Sequence, residues 1–361
     1  MEIDARIEAW ASLQLVPGLS PRVLAGLLGA LGGPEEVRRA PRASLAKLLP
    51  HELAAAIERG PEPVLLERTL AWIAEAGNAL IAWDDGDYPR TLLTISDPPP
   101  AFYYRGRREL LNRPAIAIVG SRNATPQGID NAQSFAAALS GAGFTIVSGL
   151  AQGIDAAAHR GGLSAGGSSI AVIGTGPDRI YPAANRDLGH RLAAEGALLS
   201  EFSLGTPPLP ANFPRRNRLL SGLSRGVLVV EATLASGSLI TARFAAEQGR
   251  EVFAIPGSIH SPFSKGSHRL IRDGAKLVET AQDILEELGA PAPVTDAPAP
   301  VTALQGDAGQ VLQALGHDPA DIDALAARTG LAAAAVSVAL VELELAGRVT
   351  PLPGAAFQRV R

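Results

Sequence analysis

The chain has 361 residues, 47% of them hydrophobic, which is enough for two or three domains with a sizeable core. Lysine and arginine number 32 and the acids 36, a net charge of −4, so any site for a polyanion must be a local patch and not the whole surface. There is no cysteine, which excludes disulfides, zinc ribbons, iron–sulfur clusters and a cysteine nucleophile. Lysine occurs only at Lys47, Lys265 and Lys276, so the positions of the arginines carry the information. The acidic start Met1-Glu2-Ile3-Asp4 lacks the pattern of a signal peptide, and no apolar run reaches the ~18 residues of a membrane span. The expectation is a soluble cytoplasmic protein with no membrane partner.

Residues 1–75 are expected to form a small helical module. Apolar positions recur at helical spacing in Ile7, Trp10, Leu13 and again in Val23, Leu24, Leu27, Leu28, Leu31. Between them, Val16-Pro17-Gly18-Leu19-Ser20 resembles the turn of a helix-hairpin-helix (SAM-like) unit. Such a turn offers amides to phosphate, but its second glycine is Ser20 here, which favours a packing role. A domain over 79–289 follows. Its first part is read as a lead-in with a turn at Asp84–Pro89, an extended Asp97-Pro98-Pro99-Pro100 and a short strand at Phe102–Tyr104. From 113 on, strands are expected at Ala115–Val119, Thr145–Ser148, Ile170–Ile173, Ala197–Ser200, Val227–Val230 and Val252–Ile255. Helices are expected at Gln127–Ala142, Ile154–Ala165 and Leu239–Gly249. Apolar strands without polar alternation, separated by helices, describe an α/β fold: a Rossmann-like, doubly wound, mostly parallel sheet. Residues 290–303 read as a Pro/Ala-rich linker and 304–361 as a winged-helix-like module. Its elements are a helix over Asp321–Arg328, a turn at Thr329-Gly330-Leu331, a second helix over Ala334–Leu345 and a wing from Gly347.

The densest chemistry lies in Phe213-Pro214-Arg215-Arg216-Asn217-Arg218, with Arg225 a few residues on and no acid between. Guanidinium forks bind phosphate oxygens in pairs, and a ring beside them can stack on an unpaired base. Five strands end in small residues: Gly120-Ser121-Arg122, Ser148-Gly149-Leu150-Ala151, Gly174-Thr175-Gly176, Glu231 leading to Ser236-Gly237-Ser238, and Pro256-Gly257. That is a floor of amides and hydroxyls along one sheet edge, and a helix starting at Ser236-Gly237-Ser238 favours anions. The nucleotide fingerprints GxGxxG and GxxxxGK[ST] are absent.

These motifs, together with Gly153-Ile154-Asp155, His159, Tyr181-Pro182, Ser200-Glu201 and Val230-Glu231-Ala232, fall in order over about 102–275 and resemble the DNA-processing protein A (Smf) family. The resemblance implies an extended Rossmann-like domain that binds single-stranded DNA, homodimerises, protects incoming DNA in natural transformation and loads the recombinase RecA. It implies no catalytic residue, metal or cofactor. Carried onto this chain, Arg122, Arg215, Arg216 and Arg218 would hold phosphates. Ser121 and the amides near Gly149 and Gly174 would line the groove. Phe213 would stack on a base or pack inward, Asn217 would orient the loop, Ser236, Gly237 and Ser238 would add anion contacts, and Lys265 would lie nearby.

Other readings stand beside this one. The sheet also resembles the nucleoside-monophosphate phosphoribohydrolases, but the loop Glu231–Thr241 lacks their glycine doublet and downstream glutamate. Asp155 and His159 share a helix face; without a third ligand, a helix-start hydrogen bond and a core histidine are favoured over a metal. Glu231 is expected either to pair with Arg218 or Arg243 or to meet the ligand. Arg105, Arg107, Arg108 and Arg113 read as a solvated run flanking the groove. The second helix of the final module has two acids and no cation, which suits a protein contact or packing better than a major groove.

Overall fold

The computed structural model describes residues 4–164, 166–290, 306–352 and 354–360. Six helices come first: α1 (Ala5–Gln14), α2 (Pro21–Leu31), α3 (Pro34–Arg39), α4 (Arg42–Leu45), α5 (His51–Arg59) and α6 (Pro63–Ala74). Gly18, between α1 and α2, has φ 79°, a left-handed conformation natural to glycine. Ser20 caps α2, its hydroxyl accepting the Val23 N–H at 3.3 Å. The serine that replaces a second glycine is therefore a helix cap.

The strands β1 (Asn78–Ala82), β2 (Ala101–Gly106), β3 (Ala115–Val119), β4 (Thr145–Ser148), β5 (Ser168–Val172), β6 (Ala197–Ser200), β7 (Gly226–Val229), β8 (Glu251–Ala254) and β9 (Lys276–Leu277) form one sheet. Its order is β1-β2-β6-β5-β4-β3-β7-β8-β9. Only β2 runs against its neighbours, pairing antiparallel with both β1 and β6. The six expected strands are present within two residues of their expected ends. The lead-in is more than a lead-in: it adds β1 and β2 to the sheet. Phe102 and Tyr104 of β2 pack into the cluster with Tyr88 and Leu110, while Tyr103 and, on β1, Leu80 pack against Trp10 and Trp72 of the helical module. The period-2 alternation of β2 thus joins two cores.

Helices α7 (Pro126–Gly141), α8 (Ile154–Ser164), α9 (Arg186–Glu195), α10 (Asn212–Gly222), α11 (Ser238–Glu247), α12 (Lys265–Arg272) and α13 (Ala281–Glu287) connect or follow the strands. α7 and α8 cover one face, where Ile116, Ile118, Ile146 and Leu228 meet Phe135, Leu139 and Ala157. α10 and α11 cover the other, with Leu219, Leu220, Ala242 and Ala245 on Ala117, Val119, Val227 and Val229.

The final module holds α14 (Gly306–Leu315), β10 (Ala320–Asp321), α15 (Ile322–Thr329), α16 (Ala333–Leu345), β11 (Val349–Leu352) and β12 (Ala356–Arg359), a winged helix with sheet order β10-β12-β11. Gly330 closes α15 in a left-handed conformation, as the expected turn requires. The linker expected at 290–303 lies, from 291 on, outside the described residues. Among the described residues no single helix is long and apolar enough to cross a membrane.

Candidate nucleic-acid interface

Strand order reverses at β3, whose neighbours are β4 and β7. Outside the carboxyl ends of β3 and β7 opens a cleft of about 630 Å³, the place where doubly wound sheets take ligands. Gly120, Ser121 and Arg122 line it from the end of β3. Ser236, Gly237 and Ser238 line it at the start of α11, and Phe213, Arg216 and Asn217 line it from α10.

The Phe213–Arg218 cluster lies within a helix, and helical geometry separates its members by about 100° per residue. Arg216 points under the sheet edge, is 4% exposed, and donates from Nη1 to the Val172 carbonyl. A Cβ on Gly149 would fall 2.1 Å from that Nη1, so glycine is needed there to seat the arginine. No carboxylate lies within ion-pair distance of Arg216 among the described residues, and its Nε has no hydrogen-bond partner. Burial, aided by Arg122, pushes its pKa down to about 10, against the opposing pull of Asp155. It remains a cation at neutral pH.

Arg218 departs from the expectation. It is buried and bound to Glu201, with Asp97 3.4 Å away, so its charge is spent inside the protein. Arg215 is half-exposed, pairs with the same Glu201 at 3.3 Å, and lies over the Phe202 ring at 5.4 Å. It lines a second hollow, shared with Gly18–Pro21 of the helical module. Asn217 Nδ2 reaches the Gly237 carbonyl at 3.5 Å and ties α10 to the start of α11. The Ser236 and Ser238 hydroxyls bond each other at 2.7 Å.

Phe213 lies between two neighbours. The Arg122 guanidinium is 5.8 Å from its ring centre, and the half-exposed Tyr181 ring is 6.0 Å away at 44°. A Cβ on Gly174 would come within 3.0 Å of the Phe213 ring, which therefore rests on that glycine's backbone. Tyr181 also lines the cleft and was not among the expected site residues. Its signal was the Tyr181-Pro182 motif itself, an aromatic at a loop next to the arginines.

Several expected groove residues have other roles. The Gly149 amide donates to Asp155 at 3.1 Å, with the Ala151 amide at 3.3 Å, so it is not offered to a ligand. Lys265 donates to the Ile259 carbonyl and borders a different hollow, with His268 and Leu277. Glu231 pairs with neither Arg218 nor Arg243. It accepts the Thr125 N–H at 2.9 Å and the Thr125 hydroxyl at 2.5 Å, capping the start of α7, and burial raises its pKa. Burial likewise raises Asp155. His159 is fully buried against Ser169 at 2.7 Å, and burial lowers its pKa to about 3. Among the described residues no group of three or more His, Asp or Glu could hold a metal.

This is a doubly wound sheet with a cationic, aromatic-lined cleft at its switch point, an arrangement suited to a polyanion with flat bases. Residues 79–289 match the family model of the DNA recombination-mediator protein A, and 295–355 match the DprA winged helix domain. The chain belongs to the DNA recombination-mediator protein A family. It is 44% identical over 304 residues to Protein Smf of Escherichia coli, covering 82% of this chain and 81% of that one. The X-ray structure of DNA processing protein A from Streptococcus pneumoniae superposes with a TM-score of 0.70 at 37% identity, over 80% of this chain and 99% of that one. A Helicobacter pylori DNA processing protein A, whose structure addresses a single-stranded DNA binding mode, gives 0.53 at 30% identity, over 58% and 95%.

Proposed function

We propose that this protein binds single-stranded DNA without catalysis, protects incoming strands during natural transformation, and loads RecA onto them in the cytoplasm. The observation that carries this reading is Arg216, a buried arginine with no ion-pair partner among the described residues, in the wall of an open cleft beside the exposed Arg122. A buried cation with no carboxylate in contact, and only the more distant Asp155 to oppose its burial, is costly, and a phosphate in the cleft would offset that cost. Phe213 and Tyr181 would take unpaired bases, which a duplex does not expose. Asp155, which lines the cleft, and Glu231, in the loop compared with the phosphoribohydrolases, are both engaged by backbone amides, which argues against the phosphoribohydrolase reading.

The homodimer belongs to the same proposal. At the short β9 edge, Leu234, Ile259 and Leu277 are exposed around one hollow, and a second copy seated there would double the number of grooves.

Fluorescence anisotropy with labelled oligo-dT, against duplex of equal length and at several salt concentrations, tests the reading. The expected result is single-strand preference with steep salt dependence, weakened about tenfold or more by Arg122→Ala. Equal affinity for duplex, no effect of Arg122→Ala, or release of free base from AMP would overturn it.

A further inference from the structure

We propose that α16 of the winged helix is a docking surface for the apolar face of a basic amphipathic helix on a partner protein, and not a DNA-reading helix. α16 is apolar on two opposite sides. Val336, Ala339, Leu340 and Leu343 face the module's core. At about 100° per residue, Ala334, Val338, Val341 and Leu345 form a stripe directly opposite. Val338 is 62% exposed, Val341 55% and Leu345 85%, measured with the whole described chain in place. A helix with two apolar faces is normally covered on both. This one is covered on one.

The surroundings select the occupant. Glu342 and Glu344 flank the stripe on its two sides, one residue from Val341 and Leu345 respectively. Both are exposed. α16 has no cation, and residues 304–361 carry six carboxylates against four arginines and no lysine. Nucleic acid and anionic lipid would be repelled, and a second α16 would bring like charges together. A helix with apolar anchors at i, i+3/i+4 and i+7, bordered by lysine or arginine, complements both the stripe and its rims.

The test uses the full chain and a fluorescein-labelled designed peptide of about 18 residues, leucine on one face and lysine on the other. A scrambled peptide of the same composition is the control. Saturable binding of the patterned peptide is expected, with the scrambled one much weaker. Val338→Asp and Leu345→Asp should each weaken it about tenfold or more. Glu342→Gln with Glu344→Gln should weaken it and flatten its salt dependence, and affinity for oligo-dT should not change in any of these variants. The milder Val338→Ser and Leu345→Ser, at exposed positions, give the same reading should the aspartates disturb folding. Three results would each overturn the proposal: equal binding of the two peptides, a lower association state of the chain itself in Leu345→Asp, or loss in that variant of binding to anionic phospholipid vesicles.

Discussion

Arg216 and Arg218 are two residues apart and meet opposite environments. Arg218 is bound by Glu201 and Asp97, whereas Arg216, which borders the cleft, is a buried cation with no carboxylate within ion-pair distance among the described residues and only the more distant pull of Asp155. Their substitution should separate binding from stability. On the proposed reading Arg216→Met would remove one phosphate contact, so the salt slope for oligo-dT should fall by about 0.7, with weaker binding at every salt concentration. Arg218→Met leaves the buried Glu201 only the half-exposed Arg215 as partner and should cost about 1–3 kcal/mol in a urea melt while leaving the salt slope unchanged. Equal salt-slope losses in the two variants would refute this division. The cationic cluster was legible in the sequence; its division was not. Both arginines are buried, and which of them is neutralised depends on carboxylates at 97 and 201, far along the chain, and on the helical phase of α10. A second residue-scale prediction concerns His159, whose pKa is depressed from about 6.5 to about 3 by burial. Between those values the unfolded chain binds a proton that the folded one refuses. Stability therefore falls as pH drops below 6.5, by up to ~1.4 kcal/mol per pH unit from this group. Between pH 6.5 and 5, above most carboxylate titration, His159→Gln should flatten the dependence of unfolding free energy on pH. An unchanged slope would mean that His159 can be protonated in the folded protein.

At the scale of elements, the continuous apolar runs from Ala115 to Ile255 were readable because a parallel strand covered on both faces has no polar side to disguise it. β1 and β9 escaped, and β2, expected as a short strand at Phe102–Tyr104, was not placed in the sheet, each for a different reason. β1 begins at a polar Asn78, and β2 follows three prolines that read as an extended connection. β9 is a two-residue edge with both residues exposed, and leaves no apolar signature. Helix-to-helix distance is equally invisible in a single sequence. α7 and α8 approach so closely that a Cβ on Gly161 would fall 2.1 Å from the Gln133 carbonyl oxygen. Helix backbones cannot yield locally without shifting the whole α7–α8 layer against the sheet. Gly161→Ala should therefore destabilise by about 1–3 kcal/mol through overpacking, although alanine is the better helix former, and an urea midpoint equal to wild type would refute the close approach.

At the scale of the whole molecule, the helical module and the sheet are joined by a shared core. The family match begins at residue 79, which suggests a boundary just after α6. Yet Leu80 and Ala82 of β1 and Ala101 and Tyr103 of β2 are all buried in the cluster that contains Trp10, Leu13 and Trp72 of the helices. Tyr103 meets Trp72 edge-to-face with ring centres 5.9 Å apart. Arg6 adds polar fastening, bound to Asp84 at 2.7 Å and Asp85 at 2.8 Å, and Trp10 Nε1 donates to Asp84 at 3.0 Å. Cutting the chain at 75 would therefore expose one face of a β1–β2 ribbon at the edge of the sheet, with an aromatic side chain of ~150–250 Å² among the residues uncovered. A chain beginning at residue 76 should unfold at a lower temperature than the full chain and associate beyond the full chain's state in sedimentation, and Trp72→Ala in the full chain should reproduce part of the loss, about 3–5 kcal/mol. If the shortened chain matched the full one in both measurements, the two cores would be energetically separate and the module a tethered domain. The shared-core reading predicts the reverse, because Phe102, Tyr103 and Tyr104 alternate along β2 and each side of that strand is finished by a different part of the chain.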